Sequence, residues 1–461
     1  MTTRLLLRLA LLLGCATLAT AAGTNEPGWL ARPLSLVDAL DQALRQNGAI
    51  LKGQADLETS YGLAVQTKAV AVPHVRATGN YTDNDPTSVD RFPFAGASIP
   101  GGGFAFDQPR QSWTANIQVT QSIYEGGRVN SALRSAKLTR EQALAQYQAV
   151  ITDTLVDVRV AYYDVLLAAQ QITVSEASIQ LLQKELDDTK NRFDAGTVPR
   201  FNVLRAEVEL ANAKPKLIRA RNASRVAKNN LATLLGHRVP RDVWEDIPLQ
   251  LTDRLEAEPL NLELSVALMQ ALEKRPELAA LRAAERLRAE GVTSAKSGYK
   301  PGVQLFAGYG ARNSSFSSDL TREVDGWSAG AQMSWDIFDG WLTKGKVQEA
   351  RARHNRATVD LDDTERRVEQ EVRTAYSNFI EASELLESQK KVQEQADEAL
   401  RLATARNAAG TGTQLDVLSA QTALTEARTT QVQALHDYAV ARARMERAAG
   451  LNITREKSAV K

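Results

Sequence analysis

The chain has 461 residues, 43% apolar, 24% charged and only 6% aromatic, enough for two or more conventional domains. Fifty-six basic side chains against 55 acidic ones leave a formal charge of +1, so no whole-protein attraction to nucleic acid or anionic lipid is indicated. Fourteen prolines are few for this length, and with abundant Ala, Leu, Glu, Gln and Arg the composition is that of long helices.

Residues 1–22, MTTRLLLRLALLLGCATLATAA, read as an export signal. Arg4 and Arg8 form the positive region, 9–19 is an uncharged apolar run, and Ala19-Thr20-Ala21 offers a cleavage site. The rival reading takes Leu12-Leu13-Gly14-Cys15 as a lipoprotein box with Cys15 lipidated; Arg8 leaves a short apolar run before it. After ordinary cleavage the chain keeps no cysteine, hence no disulfide or thiol chemistry. No later segment has the ~20 consecutive apolar residues of a membrane-spanning helix.

From there the elements come twice. The helical stretch 36–51 resembles 264–279 at an offset of 228, which also pairs Pro73 with Pro301 and Tyr81 with Tyr309. Beyond a variable stretch the offset is 214 throughout, pairing Trp113 with Trp327, Gly126 with Gly340, Tyr162 with Tyr376 and Gly236 with Gly450. The change falls in the Gly-, Pro- and Phe-rich segment between Tyr81 and Trp113, a longer loop in the first copy. The chain therefore divides into repeat 1 (23–236), a linker (237–262) with Pro240, Pro248 and Pro259, repeat 2 (263–450) and a tail (451–461).

Each repeat reads helix, strand, loop, strand, long helix, turn, helix. Strands are expected at about 74–82, 111–123, 302–310 and 326–338. Trp113, Ala115, Ile117 and Val119 alternate with polar residues, as do Trp327, Ala329, Ala331 and Met333, while the first strand of each pair alternates more weakly. About ten residues would let a tilted strand cross a bilayer, although a half-buried sheet in a soluble domain gives the same pattern. Four strands cannot close a barrel, so a membrane reading requires several chains. Arg128–Asp194 and Leu342–Ala408 are each 67 residues without proline, roughly 100 Å if helical. Apolar or small residues at 151, 155, 158, 162, 165, 169 and 172, and at 368, 372, 375, 379, 382 and 386, keep a 3.5-residue period, the period of supercoiled helices. That period alone suits a coiled-coil scaffold without a channel equally well, whereas a periplasmic coiled-coil adaptor should show non-helical modules flanking one hairpin, and here two hairpins alternate with strands.

The ordered set, namely export signal, duplication, strand pairs, 67-residue helices, the (Tyr/Phe)-(Glu/Asp)-Gly steps at 124–126 and 338–340, and AGTVPRFNVL echoed by AGTGTQLDVL, resembles the TolC-like outer-membrane efflux family, the outer membrane factors. The match runs from about residue 35 to 450. The resemblance implies a mixed α/β membrane protein: a homotrimer whose four strands per chain form a 12-stranded outer-membrane β-barrel, continued by a long α-helical periplasmic barrel. It also implies a passive exit duct for efflux or type I secretion, lodged in outer-membrane lipid. A periplasmic adaptor and an inner-membrane transporter would be its partners. No cofactor, metal or nucleic acid is implied, and no catalytic constellation stands out: His74, His237, His354 and His436 are scattered and there is no nucleotide fingerprint.

On that resemblance the turns 195–200 and 409–414 lie at the periplasmic tip, where the tunnel narrows and the adaptor docks. Gly196, Pro199, Arg200, Gly410, Gly412, Arg192 and Arg406 are the candidates for that contact. Gly196 and Gly410 also suit the left-handed position after a helix, and Pro199 suits the first turn of the next. Arg192 and Arg406 could equally bond the last carbonyls of their helices. Asp416, with Asn202 at the matching place, is the candidate pore constriction, since three symmetry-related carboxylates would favour cations. The competing role is a helix-start cap through Thr413-x-x-Asp416.

Overall fold

The computed structural model describes residues 32–85, 87, 91–92, 106–107, 110–238, 247–313 and 320–451. The export signal with Cys15, most of the loop at 82–112, part of the loop at 310–326, residues 239–246 of the linker and all but the first residue of the tail lie outside the described residues.

The elements in chain order are α1 (Leu36–Gln46), α2 (Gly48–Lys68), β1 (His74–Asp83), β2 (Arg91–Phe92), β3 (Phe106–Asp107), β4 (Gln111–Glu125), α3 (Arg128–Asp194) and α4 (Arg200–Leu234). The second set is α5 (Leu264–Lys274), α6 (Pro276–Lys296), β5 (Gly302–Asn313), β6 (Glu323–Ser334), α7 (Leu342–Ala408) and α8 (Gln414–Ala448). Matching helices have equal lengths: 11, 21, 67 and 35 residues in each repeat. Two details depart from the sequence reading. β6 starts at Glu323 and stops at Ser334, short of 338, because Asp339 turns the chain into α7 by accepting from Thr343 N at 2.7 Å. α3 is long and apolar enough to pass for a membrane crossing, with a window of mean hydropathy 1.2. Its polar side chains are nevertheless engaged within the protein, as at Arg159 and Tyr162.

Compactness follows packing, not descent. One unit comprises 1–43, 158–257 and 388–436, and the other 44–157, 258–387 and 437–461, so each draws on both repeats.

The second unit holds the sheet, an antiparallel array in the order β1-β4-β5-β6, with a separate short β2–β3 pair. The register places Ala77, Ile117, Tyr309 and Trp327 side by side across all four strands, and Val75, Val119, Ala307 and Ala329 in the next row of that face. The opposite face carries Arg76, Gln118, Gly308 and Ser328, then Thr78, Asn116, Gly310 and Gly326. One face is apolar and aromatic, the other small and polar. Ile117, Tyr309, Trp327 and Met333 are exposed within the chain, an arrangement that wastes apolar area in water. β1 and β6 each leave one edge unpaired.

Below the sheet in sequence terms, α5, α6, α7 and α8 of this unit share a core of Ala267, Ala271, Leu278, Val368, Val372, Phe379, Tyr438 and Met445. The 3.5-residue stripe of α7 supplies four buried members, Val368, Val372, Phe379 and Ala382, with Ala375 and Leu386 half-buried beside them. The stripe of α3 is buried at Leu155, Val158, Tyr162 and Val165 but exposed at Ala169. A straight helix drifts roughly 20° per heptad against a 3.5 repeat, so the seam leaves the contact face within a few turns. Arg275, 2% exposed, bonds Glu371 at 2.8 Å. Arg447 adds Asp153 at 2.7 Å, Glu277 at 2.8 Å and Glu371. Burial disfavours the Glu371 carboxylate, but Arg275 and then Arg447 outweigh it and hold its pKa below the usual carboxylate range.

In the first unit the linker is tied to the start of the chain. Leu34 pairs with Leu251 as an isolated parallel bridge, and Leu36 N donates to Asp253 at 2.8 Å. Tyr162 of α3, fully buried, donates its hydroxyl to Leu34 O at 3.0 Å and to Asp253 at 3.1 Å. Its repeat-2 counterpart Tyr376 is only half-buried. Burial and the Asp253 charge push the Tyr162 phenol well above its ordinary value, so it remains a donor. Tyr162→Phe removes the two bonds of a buried hydroxyl, while Leu34 O and Asp253 keep their other donors, and lowers stability by about 1–1.5 kcal/mol. Tyr376→Phe shifts it by less than about 0.5 kcal/mol. Thermal or denaturant unfolding of both variants in detergent checks the contrast, and equal effects would refute it.

Candidate functional site

The two hairpin turns lie in the first unit and are built by the same backbone device. At the end of α3, Gly196 N donates to Phe193 O at 2.8 Å and Thr197 N to Arg192 O at 2.9 Å. At the end of α7, Gly410 N donates to Asn407 O at 3.2 Å and Thr411 N to Arg406 O at 2.9 Å. These are Schellman closures, which need a left-handed residue after the helix. Gly196 and Gly410 supply it with φ of 74° and 73°. The threonine hydroxyls reinforce both closures on the same carbonyls, at 2.8 Å and 3.2 Å. Arg192 and Arg406 therefore contribute main-chain carbonyls to the turns. The side chain of Arg192 reaches Asn407 of the other hairpin at 3.5 Å, the outer limit of a hydrogen bond.

After the glycines the copies diverge. In repeat 1, Pro199 is the residue before α4, extended at ψ 155°, and no side chain caps the helix. It thus sits one position earlier than its expected place in the first helical turn, because α4 begins only at Arg200 and the Pro199 carbonyl accepts from Asn202 N at 3.0 Å. In repeat 2 the same positions are Thr413 and Asp416, and they form a reciprocal capping box. Thr413 N donates to Asp416 Oδ2 at 2.9 Å, and Asp416 N donates to Thr413 Oγ1 at 3.2 Å. The Thr413 N–H first, then the Thr413 hydroxyl and the nearby Arg406 charge, hold the Asp416 carboxyl below its ordinary range, so it is ionised at neutral pH. Gly412 suits its place for a different reason: a Cβ there would lie tightly, 3.0 Å from Arg406 Cβ and 3.1 Å from Asn407 N. Repeat 1 places Val198 at that position.

The turns are held by side chains that the sequence pattern did not single out. Gln414 Nε2 donates to Thr189 Oγ1 at 2.6 Å, fastening the start of α8 to α3. Lys190 pairs with Glu207 at 3.4 Å between α3 and α4. Beneath them Leu182, Leu186, Val203, Ala206, Leu210 and Leu418 form a small core that joins α3, α4 and α8. Val203 and Leu418 belong to the repeated (Asn/Asp)-Val-Leu steps, and that recurrence was the available signal. Glu185 is pushed up by burial, partly offset by Gln414. Asp416, Arg192, Arg200 and Arg406 are exposed, whereas Asn202 is half-buried. The exposed set is thus one carboxylate and three guanidinium groups on two rigid turns. Among the described residues no group of acidic, His or Cys side chains could hold a metal ion.

Comparison with known proteins was made against this geometry. The family model described as "Outer membrane efflux protein" matches residues 39–237 and 267–451, covering both repeats. The outer membrane protein TolC of Escherichia coli K12 is 23% identical over 432 residues, 91% of this chain and 83% of that protein. The alkaline protease secretion protein AprF of Pseudomonas aeruginosa is 27% identical over 355 residues, 76% of this chain and 72% of that one. The crystal structure of the Campylobacter jejuni CmeC outer membrane channel superposes with a TM-score of 0.75 at 15% identity, over 90% of this chain and 85% of that one.

The depressed Asp416 pKa gives the capping box a defined pH window. Its stabilisation is complete above the unfolded carboxyl value of about 3.9 and is lost as pH falls through the lower folded value. Hydrogen-exchange protection at the start of α8 should therefore persist at pH 5 and decline only in stronger acid. Asp416→Ala should remove it at neutral pH, while Asn202→Ala leaves α4 unchanged.

Proposed function

The chain is a member of the outer membrane efflux protein family, an outer-membrane channel of efflux and secretion systems, and on that premise we propose that three copies close one barrel of 12 strands and work as a passive exit duct. A periplasmic adaptor and an inner-membrane transporter deliver cargo at the hairpin turns. The observation that supports this most is the two-faced sheet with unpaired edges at β1 and β6. In hydrocarbon every backbone N–H and C=O must be bonded, so the edges must meet other copies, and about eight strands is the smallest barrel. The apolar face with Ile117, Tyr309 and Trp327 then meets lipid, and the Gly-, Ser- and Gln-rich face lines the lumen. A soluble adaptor or scaffold would leave that face bare.

At the tip, the charged constriction and the cap are compatible roles for Asp416. The cap uses Oδ2 and keeps the group ionised, leaving a negative charge exposed. Threefold symmetry turns it into a ring that alternates with the uncharged Asn202 hairpin. Gly196, Pro199, Gly410 and Gly412 shape the adaptor contact, and Arg192, Arg200 and Arg406 give it charge. The transporter supplies the energy and much of the choice of cargo.

Two measurements test this reading. Outer-membrane fractionation with chemical cross-linking should give a trimer; a soluble chain, or a monomer in the outer membrane, would sink it. Asp416→Asn keeps a cap acceptor while removing the charge, and it should lower cation selectivity and weaken block by multivalent cations. If both stay unchanged, Asp416 is a cap alone.

A further inference from the structure

The sheet unit contains a cleft of about 780 Å³ between the end of α6, the step that leads into β5 and the start of α7, lined by Thr293, Lys296, Tyr299, Lys300, Lys344 and Arg351 among others. Four cations converge there and no carboxylate lines it. None of the four forms an ion pair among the described residues. Glu349, on the same helix as Arg351, is engaged with Arg353 at 2.5 Å.

Beside the cleft stands an aromatic group. Trp335 donates from its indole to Tyr299 O at 3.3 Å, and Phe338 packs edge-on against Trp341 at 5.9 Å between centroids. Lys344 lies 4.8 Å from the centroid of the Trp341 ring, a cation–π contact. Trp335, Ile337, Phe338 and Trp341 are all exposed. Trp341 has φ of 70°, and among the described residues it is the one non-glycine with positive φ. That left-handed backbone disfavours a side chain, so the ring is held in place against a local cost.

The duplication supplies an internal control. At the corresponding positions repeat 1 has Gln121 for Trp335, Tyr124 for Phe338, Gly127 for Trp341, Val72 for Lys300 and Asn130 for Lys344. Its Lys137, the counterpart of Arg351, is within 3.7 Å of Glu141. Repeat 1 keeps Lys68 in place of Lys296, but it has no cation at 72 or 130 and no tryptophan at 121 or 127, so the full set of four unpaired cations with the aromatic group occurs only in repeat 2.

We propose that this cleft binds the phosphate headgroup of an anionic phospholipid in the periplasmic leaflet. The proposal rests on the membrane reading above, which puts the helix-side ends of β5 and β6 at the lipid–water boundary. Aromatic rings favour that boundary, and unpaired basic pockets beside it attract anionic headgroups. Lys300, Lys344 and Arg351 bond the phosphate, while Trp335, Phe338 and Trp341 lie against the glycerol and upper acyl chains. The site occurs once per chain, so a trimer carries three, each tying repeat 2 to the membrane where repeat 1 has none.

Native mass spectrometry of the full-length protein in non-ionic detergent, titrated with phosphatidylglycerol, reads the site directly. The wild type should retain one lipid per chain, and the triple variant K300Q/K344Q/R351Q should bind about a hundredfold more weakly, at about fivefold for each of three charges. Trp341→Gly, which restores the repeat-1 residue, should weaken binding without removing a charge and covers the case of a misfolded triple variant. Equal binding by wild type and both variants would overturn the proposal. So would equal retention of phosphatidylcholine, or displacement by inorganic phosphate at matched concentration, which would mark a free-anion site. Fractionation in parallel separates this failure from failure of the membrane reading, because a chain absent from the outer membrane would refute the latter first.

Discussion

An open sheet edge cannot sit in hydrocarbon. Each unpaired backbone group costs several kcal/mol there, and the four strands of this chain leave edges at β1 and β6. The requirement to pair them dictates much else. Closure with other copies forces the alternation of face along every strand, so that Ile117, Tyr309 and Trp327 share one surface while Gln118, Gly308 and Ser328 share the other. The offset between repeats is likewise constant from Trp113 and Trp327 to Gly236 and Gly450, and the matching helices are equal in length. An insertion in any one helix would displace its hairpin relative to its neighbours.

Duplication solves the geometry twice, and divergence then assigns the copies different tasks. Tyr162 is buried and bonded to Leu34 and Asp253, while Tyr376 at the matching position is half-buried. Thr413 and Asp416 cap α8 where Pro199 and Asn202 leave α4 without a side-chain cap. Trp341 keeps the left-handed backbone that Gly127 adopts freely, and carries a ring there. In each case the backbone of the two repeats agrees and the chemistry does not. A trimer built from such a chain has threefold symmetry in its charges and only approximate sixfold symmetry in its backbone.

Much of this architecture was legible in the order of residues. Proline-free runs of 67 residues announced α3 and α7, and the glycines at 196 and 410 announced their ends, because each reports a local backbone preference. The stripe at 368, 372, 379 and 382 reported burial for the same reason: a helix repeats its facing side chains at a fixed interval. What stayed hidden involves partners far apart in sequence. Gln414 meets Thr189, and Arg275 meets Glu371, only because helices far apart in sequence pack side by side. The compact units, assembled from three stretches each, were hidden for that reason too.

Sequence alone therefore determined the periodic and local features: the duplication, the helix spans, the left-handed glycines, the alternating strands and the possibility of a Thr413–Asp416 cap. Tertiary structure decided which possibilities were realised. It joined the cap at 2.9 Å and 3.2 Å, set Tyr162 against the linker, and gathered four unpaired cations beside an exposed aromatic group. Local preferences act through neighbours a few residues away, and a sequence displays those directly. Convergence of distant side chains depends on where whole helices and strands come to rest, which only their packing settles.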